Sequence, residues 1–164
     1  MGERRKGLKF WCLAAVIWGG LTHPLWAGCE PDKLMLRGPW GQAQFFVEIA
    51  NDPDSRAQGL MYRETLARTA GMLFVYDTPA QLGFWMRNTL IPLDLLFVDE
   101  RGRIIHIHHN AQPLDETVIY SNGLATAVLE INGGMAEQFG IGLGSDLQHE
   151  SFDQTVAHWP CEAS

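Results

Sequence analysis

The segment from Phe84 to Asp94 holds the densest mixture of polar and aromatic side chains in the sequence. Within it, Trp85 offers a flat aromatic face, and Asn88 offers an amide that both donates and accepts hydrogen bonds. Arg56 and Arg63 lie nearer the N-terminus and add guanidinium groups, which bind anions through paired hydrogen bonds. Together these side chains predict a polar pocket for an anionic or hydroxylated ligand beside the indole ring.

Two carboxylic acids within strand-like runs allow further interpretations. Asp94 lies in an apolar run, and a buried carboxylate needs a partner. We therefore expect an internal ion pair with Arg56 or Arg63, or a hydrogen-bond network that holds the small helix against the sheet. Alternatively, Asp94 and Glu130 could be the general acid and base of a hydrolase, which requires carboxyl groups roughly 5 to 10 Å apart across one cleft. Alternation along residues 124–131 places Glu130 on the more polar strand face, where a solvated or capping carboxylate is the simpler expectation.

Histidines form a second group with possible chemistry. His106 and His108 are two residues apart in a strand-like run, so they share one face and could supply half of a copper or zinc site. The simpler interpretation is a solvent-facing strand with ordinary polar residues. The sequence contains no nucleophile elbow, no phosphate-binding glycine loop and no paired Ser/His/Asp motif. We therefore assign no catalytic residue, no metal and no cofactor.

The elements that must position these side chains are mainly strands. Short runs rich in β-branched and aromatic residues predict strands at 45–50, 71–76, 93–98, 103–108 and 124–131. A hairpin turn is expected at 99–102, and short helical turns at 56–61, capped by Asp54 or Ser55, and at 133–139, closed by Gly140. The predicted fold is mainly β: a single-domain antiparallel β-sandwich or barrel, jelly-roll-like, with one or two short helices.

The N-terminal residues have the composition of an export signal. Four basic residues precede the apolar run 10–21, and small residues follow at Ala27 and Gly28. We expect residues 1–27 to be a signal peptide and residues 28–164 to form one mainly β domain. The apolar run is too short to predict a stable membrane span. The pair Arg4-Arg5 leaves open whether export follows the twin-arginine or the general route.

The net charge and the cysteines of the chain bear on nucleic-acid binding and on disulfide formation. The full chain has 12 basic and 19 acidic residues, a net charge of -7; without residues 1–27, 8 bases and 18 acids remain, a charge of about -10. Because phosphate neutralisation needs basic surface, this charge argues against nucleic-acid binding. In an oxidising compartment, Cys29 and Cys161 are expected to form a disulfide. The alternative is lipidation of Cys29, since residues 26–29 are similar to a lipoprotein cleavage site.

Four ordered motifs resemble those of the domain-of-unknown-function 192 family. They are Arg56-(x)2-Gly59-Leu60-Met61-(x)-Arg63, the run 71–74, the segment 84–94 and the run 129–134, and the resemblance covers about residues 34–152. It implies a compact, mainly β, jelly-roll-like domain that is often exported in bacteria. It implies no established activity, so no catalytic residue is carried over.

These observations predict an exported protein, periplasmic or extracellular, of uncharacterised activity. The favoured function is a non-enzymatic, monomeric binding module for a small polar ligand, a glycan or an envelope partner. Its expected ligand-binding residues are Arg56, Arg63, Trp85, Asn88, Asp94 and Glu130.

Overall fold

A computed structural model describes residue 2 and residues 28–161 of the chain. The predicted signal peptide therefore lies almost entirely outside the described residues. In chain order the elements are β1 (Lys33–Gly38), β2 (Gly41–Ala50), α1 (Pro53–Gln58), β3 (Ala70–Phe84), β4 (Leu93–Val98), β5 (Ile104–Ala111), β6 (Ile119–Asn132), α2 (Met135–Phe139) and β7 (Asp146–Gln148).

All seven strands belong to one curled sheet, close to a half-barrel, in the order β5-β4-β6-β3-β2-β1-β7. Neighbouring strands are antiparallel except β2 and β3, which are parallel because the chain crosses over through α1 and the loop to residue 69. The predicted mainly β, single-domain fold with two short helices is confirmed, although the sheet is mixed where the strand pattern indicated only antiparallel pairing.

Both faces of the central strands are covered by apolar side chains. On β4, Leu96 and Val98 join one cluster with β1, β2 and α2, whereas Leu95 and Phe97 join a second cluster that includes residues of β3 and the segment 82–91. Every residue of β4 is buried. Burial on both faces explains why this strand is apolar at every position except Asp94 and shows no polar alternation.

Side-chain hydrogen bonds and glycines form the turns and helix ends that connect the strands. The predicted hairpin between β4 and β5 is present: Asp99 Oδ1 accepts hydrogen bonds from the backbone N–H groups of Arg101 and Arg103, and Gly102 takes a φ of 78°. Helix α1 begins earlier than expected, because Asp52, rather than Asp54 or Ser55, caps it through the backbone N–H groups of residues 54 and 55. Helix α2 ends at Gly140, as predicted.

The segments that flank the sheet are joined covalently. Cys29 and Cys161 form a disulfide, with their Cα atoms 5.4 Å apart, as the sequence predicted. The Arg37 guanidinium of β1 lies 4.4 Å from the Trp159 ring centroid, which adds a cation–π contact beside the disulfide. Residues 158–161 are thereby held against the β1 end of the sheet.

Candidate functional site

Glu130 is a buried carboxylic acid with no internal partner among the described residues. It lies near the C-terminal end of β6, opposite Met72 of β3 and Leu95 of β4, and only 5% of its surface is exposed. No hydrogen bond or ion pair within the described part of the chain reaches its carboxyl group. The expectation of a solvated or capping carboxylate is therefore wrong, because the face that looked polar in sequence packs against the second apolar cluster.

Burial changes the proton affinity of this group. Desolvation raises the pKa of Glu130 to about 8, since nothing around it compensates the charged form. At neutral pH the side chain is mostly a neutral carboxylic acid, which can donate one hydrogen bond and accept others.

The carboxyl group lies on a groove between α1 and the sheet. The groove has a volume of about 190 Å³ and takes its walls from residues 56–61 on one side and from β3 and the following segment on the other. Gly59 ends α1 with a φ of 51°, and a Cβ atom there would lie 3.1 Å from the Phe74 ring. This close approach lets the helix end pack onto the groove wall. The polar and aromatic lining residues are Arg56, Gln58, Phe74, Tyr76, Phe84, Trp85, Thr89 and Glu130.

Arg56 is fixed at one side of this groove. Its Nη1 donates a hydrogen bond to the Val75 carbonyl oxygen at 3.0 Å, and its guanidinium lies 4.9 Å from the centroid of the Tyr76 ring. None of the ion pairs between described residues includes Arg56. Since a guanidinium carries five N–H donors, several remain for a ligand.

Tyr76 and Trp85 supply the aromatic surface. Burial raises the pKa of the Tyr76 phenol; the nearby Arg56 charge opposes this shift and Glu130 adds to it, so both groups lie close to the same ring. Trp85 is 45% exposed, and the Arg87 guanidinium lies 5.7 Å from its ring. Its open face makes the indole accessible at the groove.

The structure brings together three of the six predicted ligand-binding residues, namely Arg56, Trp85 and Glu130. Sequence reasoning did not select Tyr76 or Thr89 as site residues. Thr89 directly follows Asn88 in the same motif, so the choice of Asn88 as a site residue could also have pointed to Thr89. In the structure, 5% of the Thr89 surface is exposed. Tyr76 appeared only as a strand residue, and it lies where the pairing of β3 with β6 is interrupted, a feature that the sequence does not specify.

Arg63 and Asn88 do not line this groove. Arg63 forms a two-point ion pair with Glu48 of β2, with Nη2 to Oε2 at 2.7 Å, and this contact lowers the pKa of the Glu48 carboxyl. Asn88 takes a φ of 56°, and its carbonyl oxygen accepts a hydrogen bond from the backbone N–H of Tyr62 at 2.8 Å. Both residues connect the loop after α1 to its surroundings.

Asp94 is a structural carboxylate on the other face of the sheet. Its Oδ1 accepts hydrogen bonds from the backbone N–H groups of Asn110 at 2.7 Å and Gly134 at 2.9 Å, and its Oδ2 accepts one from Ala136 at 2.7 Å. Of the two expected arrangements, the ion pair with Arg56 or Arg63 is therefore wrong, and a hydrogen-bond network is present instead, because backbone donors of β5 and of the start of α2 satisfy this buried group. It links β4, β5 and α2.

The acid/base interpretation of Asp94 and Glu130 is also wrong. Leu95, not Asp94, lies opposite Glu130, and Asp94 lies opposite Ile131. Since successive side chains of a strand alternate between faces, the two carboxyl groups point to opposite sides of the sheet. They share no cleft in which one substrate bond could contact both.

His106 and His108 line a different groove, of about 520 Å³, near β5 and the start of β6. The His106 ring stacks on Phe97 at 5.6 Å and lies 3.2 Å from the Asn122 amide nitrogen; burial, followed by the charges of His108 and His109, lowers its pKa. The predicted shared face of the two histidines is present. Within the described residues, no three His, Cys, Asp or Glu side chains are grouped closely enough to hold a metal ion.

Across the part of the chain that the structure describes, no helix has the length and apolar character to cross a membrane. Fold and groove together define a single-domain, mainly β protein with one curled sheet and a small polar groove between the sheet and a short helix. The chain belongs to the DUF192 family, described as "Uncharacterized ACR", whose model matches residues 37–149.

Two solved structures are similar to this chain. A Novosphingobium aromaticivorans protein of unknown function is 42% identical over 70% of this chain and 82% of its own, with a TM-score of 0.69. A Sinorhizobium meliloti protein with the provisional name of transcription regulator is 36% identical over 77% of this chain and 98% of its own, with a TM-score of 0.72. No curated protein matches this chain.

Proposed function

We propose that this protein is an exported, non-enzymatic domain that binds a small polar ligand in the groove between α1 and β3. One observation carries the proposal: the Glu130 carboxyl is almost fully buried, lines the groove and has no partner in the described chain. Its carboxyl oxygens are still accessible from the groove, because every fully buried side-chain oxygen or nitrogen among the described residues has a hydrogen-bond partner and those of Glu130 have none. A ligand in the groove can therefore form hydrogen bonds to Glu130 that the protein itself does not supply.

The size of the groove favours a small molecule over an envelope protein. Its volume of about 190 Å³ is below the roughly 300 to 1,000 Å³ of pockets that hold drug-sized ligands. A ligand with one ring or a short chain would fill it. A glycan could use the exposed face of Trp85, and only a terminal sugar would then reach Glu130.

Export is supported by the signal-like composition of residues 1–27 and by the Cys29–Cys161 disulfide, since disulfides persist in oxidising compartments. The alternative is that Cys29 is lipidated. A lipid would be attached to the same Cys29 sulfur atom that forms the disulfide, so a molecule with the disulfide is not lipidated.

The provisional name of the Sinorhizobium meliloti relative suggests a role with DNA, which the charge of this chain does not favour. Residues 28–164 contain 18 acidic and 8 basic residues, and Arg63 and Arg103 are already paired with carboxylates. A surface of this composition repels phosphates.

Thermal shift and titration calorimetry with glucose, glycine, succinate and inorganic phosphate test the proposal. We expect at least one probe to bind the wild type and to lose binding in Glu130→Gln and Arg56→Met. Glu48→Gln and Arg63→Met are matched controls, because they remove the same groups outside the groove and should bind like the wild type. A protein that binds none of the four probes, or binds them equally well in all variants, would overturn the proposal.

A further inference from the structure

The groove contains two groups of opposite formal charge that the described chain leaves available. Arg56 retains donors after its contact with Val75, and the Glu130 carboxyl receives no donor. Both groups lie close enough to Tyr76 to affect its pKa in opposite directions. A ligand in this groove therefore meets a cation and an ionisable acid around one aromatic ring.

Arg56 is arranged to hold an anion. The hydrogen bond to Val75 and the contact with the Tyr76 ring restrict the guanidinium to one orientation. The nearby acidic side chain of Asp52 is engaged instead by Ser55 and by the α1 backbone. A ligand carboxylate could take two parallel N–H donors from a guanidinium held in this way.

Glu130 complements an amine. A ligand ammonium would donate hydrogen bonds to the carboxyl and would favour its ionised form, since an opposite charge at close range offsets the cost of burial. The rings of Tyr76, Phe84 and Trp85 line the same groove, and aromatic faces attract alkylammonium groups. A neutral sugar could hydrogen-bond to both groups, but it would form no ion pair with Arg56.

We propose that the ligand of this groove is a small zwitterion, with a carboxylate bound by Arg56 and an ammonium group bound by Glu130. The inference rests on the proposed ligand-binding function and specifies its ligand class. The small groove volume restricts the candidates to molecules of about the size of a short amino acid.

Titration calorimetry with matched probes tests this inference. Glycine, β-alanine and γ-aminobutyrate separate the two charges by increasing lengths, while butylamine and butyrate each carry one charge and glucose carries none. We expect one zwitterion to bind at least about tenfold more tightly than either single-charge probe, because it gains two charge-assisted contacts. Glu130→Gln and Arg56→Met should each weaken that binding by about tenfold or more, and Glu48→Gln and Arg63→Met should not.

Proton release gives a second readout. Near pH 7, ammonium binding should release a proton from Glu130, which appears as a dependence of the binding heat on the ionisation enthalpy of the buffer. The Glu130→Gln variant should show no such release. If glucose or a single-charge probe binds in the groove at least as tightly as every zwitterion, the inference is overturned while the proposed function stands. If no probe binds, both are overturned.

Discussion

Asp94 and Glu130 lie on neighbouring strands, one position apart in register, and their side chains point to opposite faces of the sheet. Asp94 accepts three backbone N–H hydrogen bonds, whereas Glu130 receives none from the described residues and lines a groove. The carboxyl group of Asp94 therefore has a structural role on one face of the sheet, and that of Glu130 is available to a ligand on the other face.

We predict that Glu130 makes the protein less stable as the pH rises. Its folded-state pKa of about 8 lies above the ordinary glutamate value, so the folded state holds a proton that the unfolded state has lost. The free energy of unfolding should fall by up to about 1.4 kcal/mol per pH unit towards pH 8 and then level off. Urea unfolding at a series of pH values measures this slope.

The Glu130→Gln variant is the control for that slope, because it keeps the shape of the side chain and removes its titration. His106 and His149 have pKa values lowered by burial, so they destabilise the fold as the pH falls, in the opposite direction. Because both proteins contain these two histidines, their contribution is removed when the unfolding free energy of the variant is subtracted from that of the wild type. Equal slopes in the two proteins above pH 6.5 would contradict a protonated Glu130.

We predict that Asp94→Asn destabilises the fold by about 2 to 4 kcal/mol, since hydrogen bonds to a charged group contribute about 1.5 to 3 kcal/mol each. An asparagine keeps one carbonyl oxygen and places an amide NH2 group, itself a donor, where a backbone N–H donor already points. The free energy of unfolding in urea measures the loss. Asp77→Asn, at an exposed position of β3, serves as the control and should change stability by less than about 0.5 kcal/mol. A similarly small effect at Asp94 would show that its backbone contacts contribute little.

The sequence predicted the strands with clear apolar patterns but not all site residues. The six residues of β4 are consecutive and mostly apolar, and the predicted bounds match the structure. Strands β1 and β7 were not among the predicted strands. Strand β7 has only three residues, and so short a run has no measurable alternation. Strand β1 does alternate between buried and partly exposed residues, but the alternation extends over only residues 33–36.

The candidate site depends on pairings that no local pattern specifies. Burial of Glu130 follows from the strands on both sides of it, because Met72 and Leu95 lie opposite and bring apolar neighbours with them. Tyr76 lies where the register of β3 with β6 is interrupted, between Val75 and Ala80, and it lines the groove beside Phe74. Arg63 and Arg56 looked equivalent in sequence, and only the position of Glu48 on β2 separates their roles.

We predict that the purified protein retains no stoichiometric zinc or copper after dialysis. His106 and His108 supply two imidazoles, and no grouping of three metal-binding side chains occurs among residues 28–161. Stable zinc sites need three or four protein ligands, so two imidazoles hold the metal weakly. Elemental analysis measures the content. One equivalent of metal in the wild type that is absent from His106→Asn would contradict this expectation.

We predict that the Cys29–Cys161 disulfide is a main contributor to stability. It closes a loop with a sequence separation of 132 residues, for which the chain-entropy model gives up to about 5 kcal/mol. Reductant should therefore lower the free energy of unfolding of the protein, and the Cys29→Ser/Cys161→Ser variant should resemble the reduced wild type and show no further response. Intact mass should increase by two hydrogen atoms on reduction. A mass increment of acyl chains at Cys29, or unfolding that is insensitive to reductant, would contradict the disulfide and favour the lipidated form.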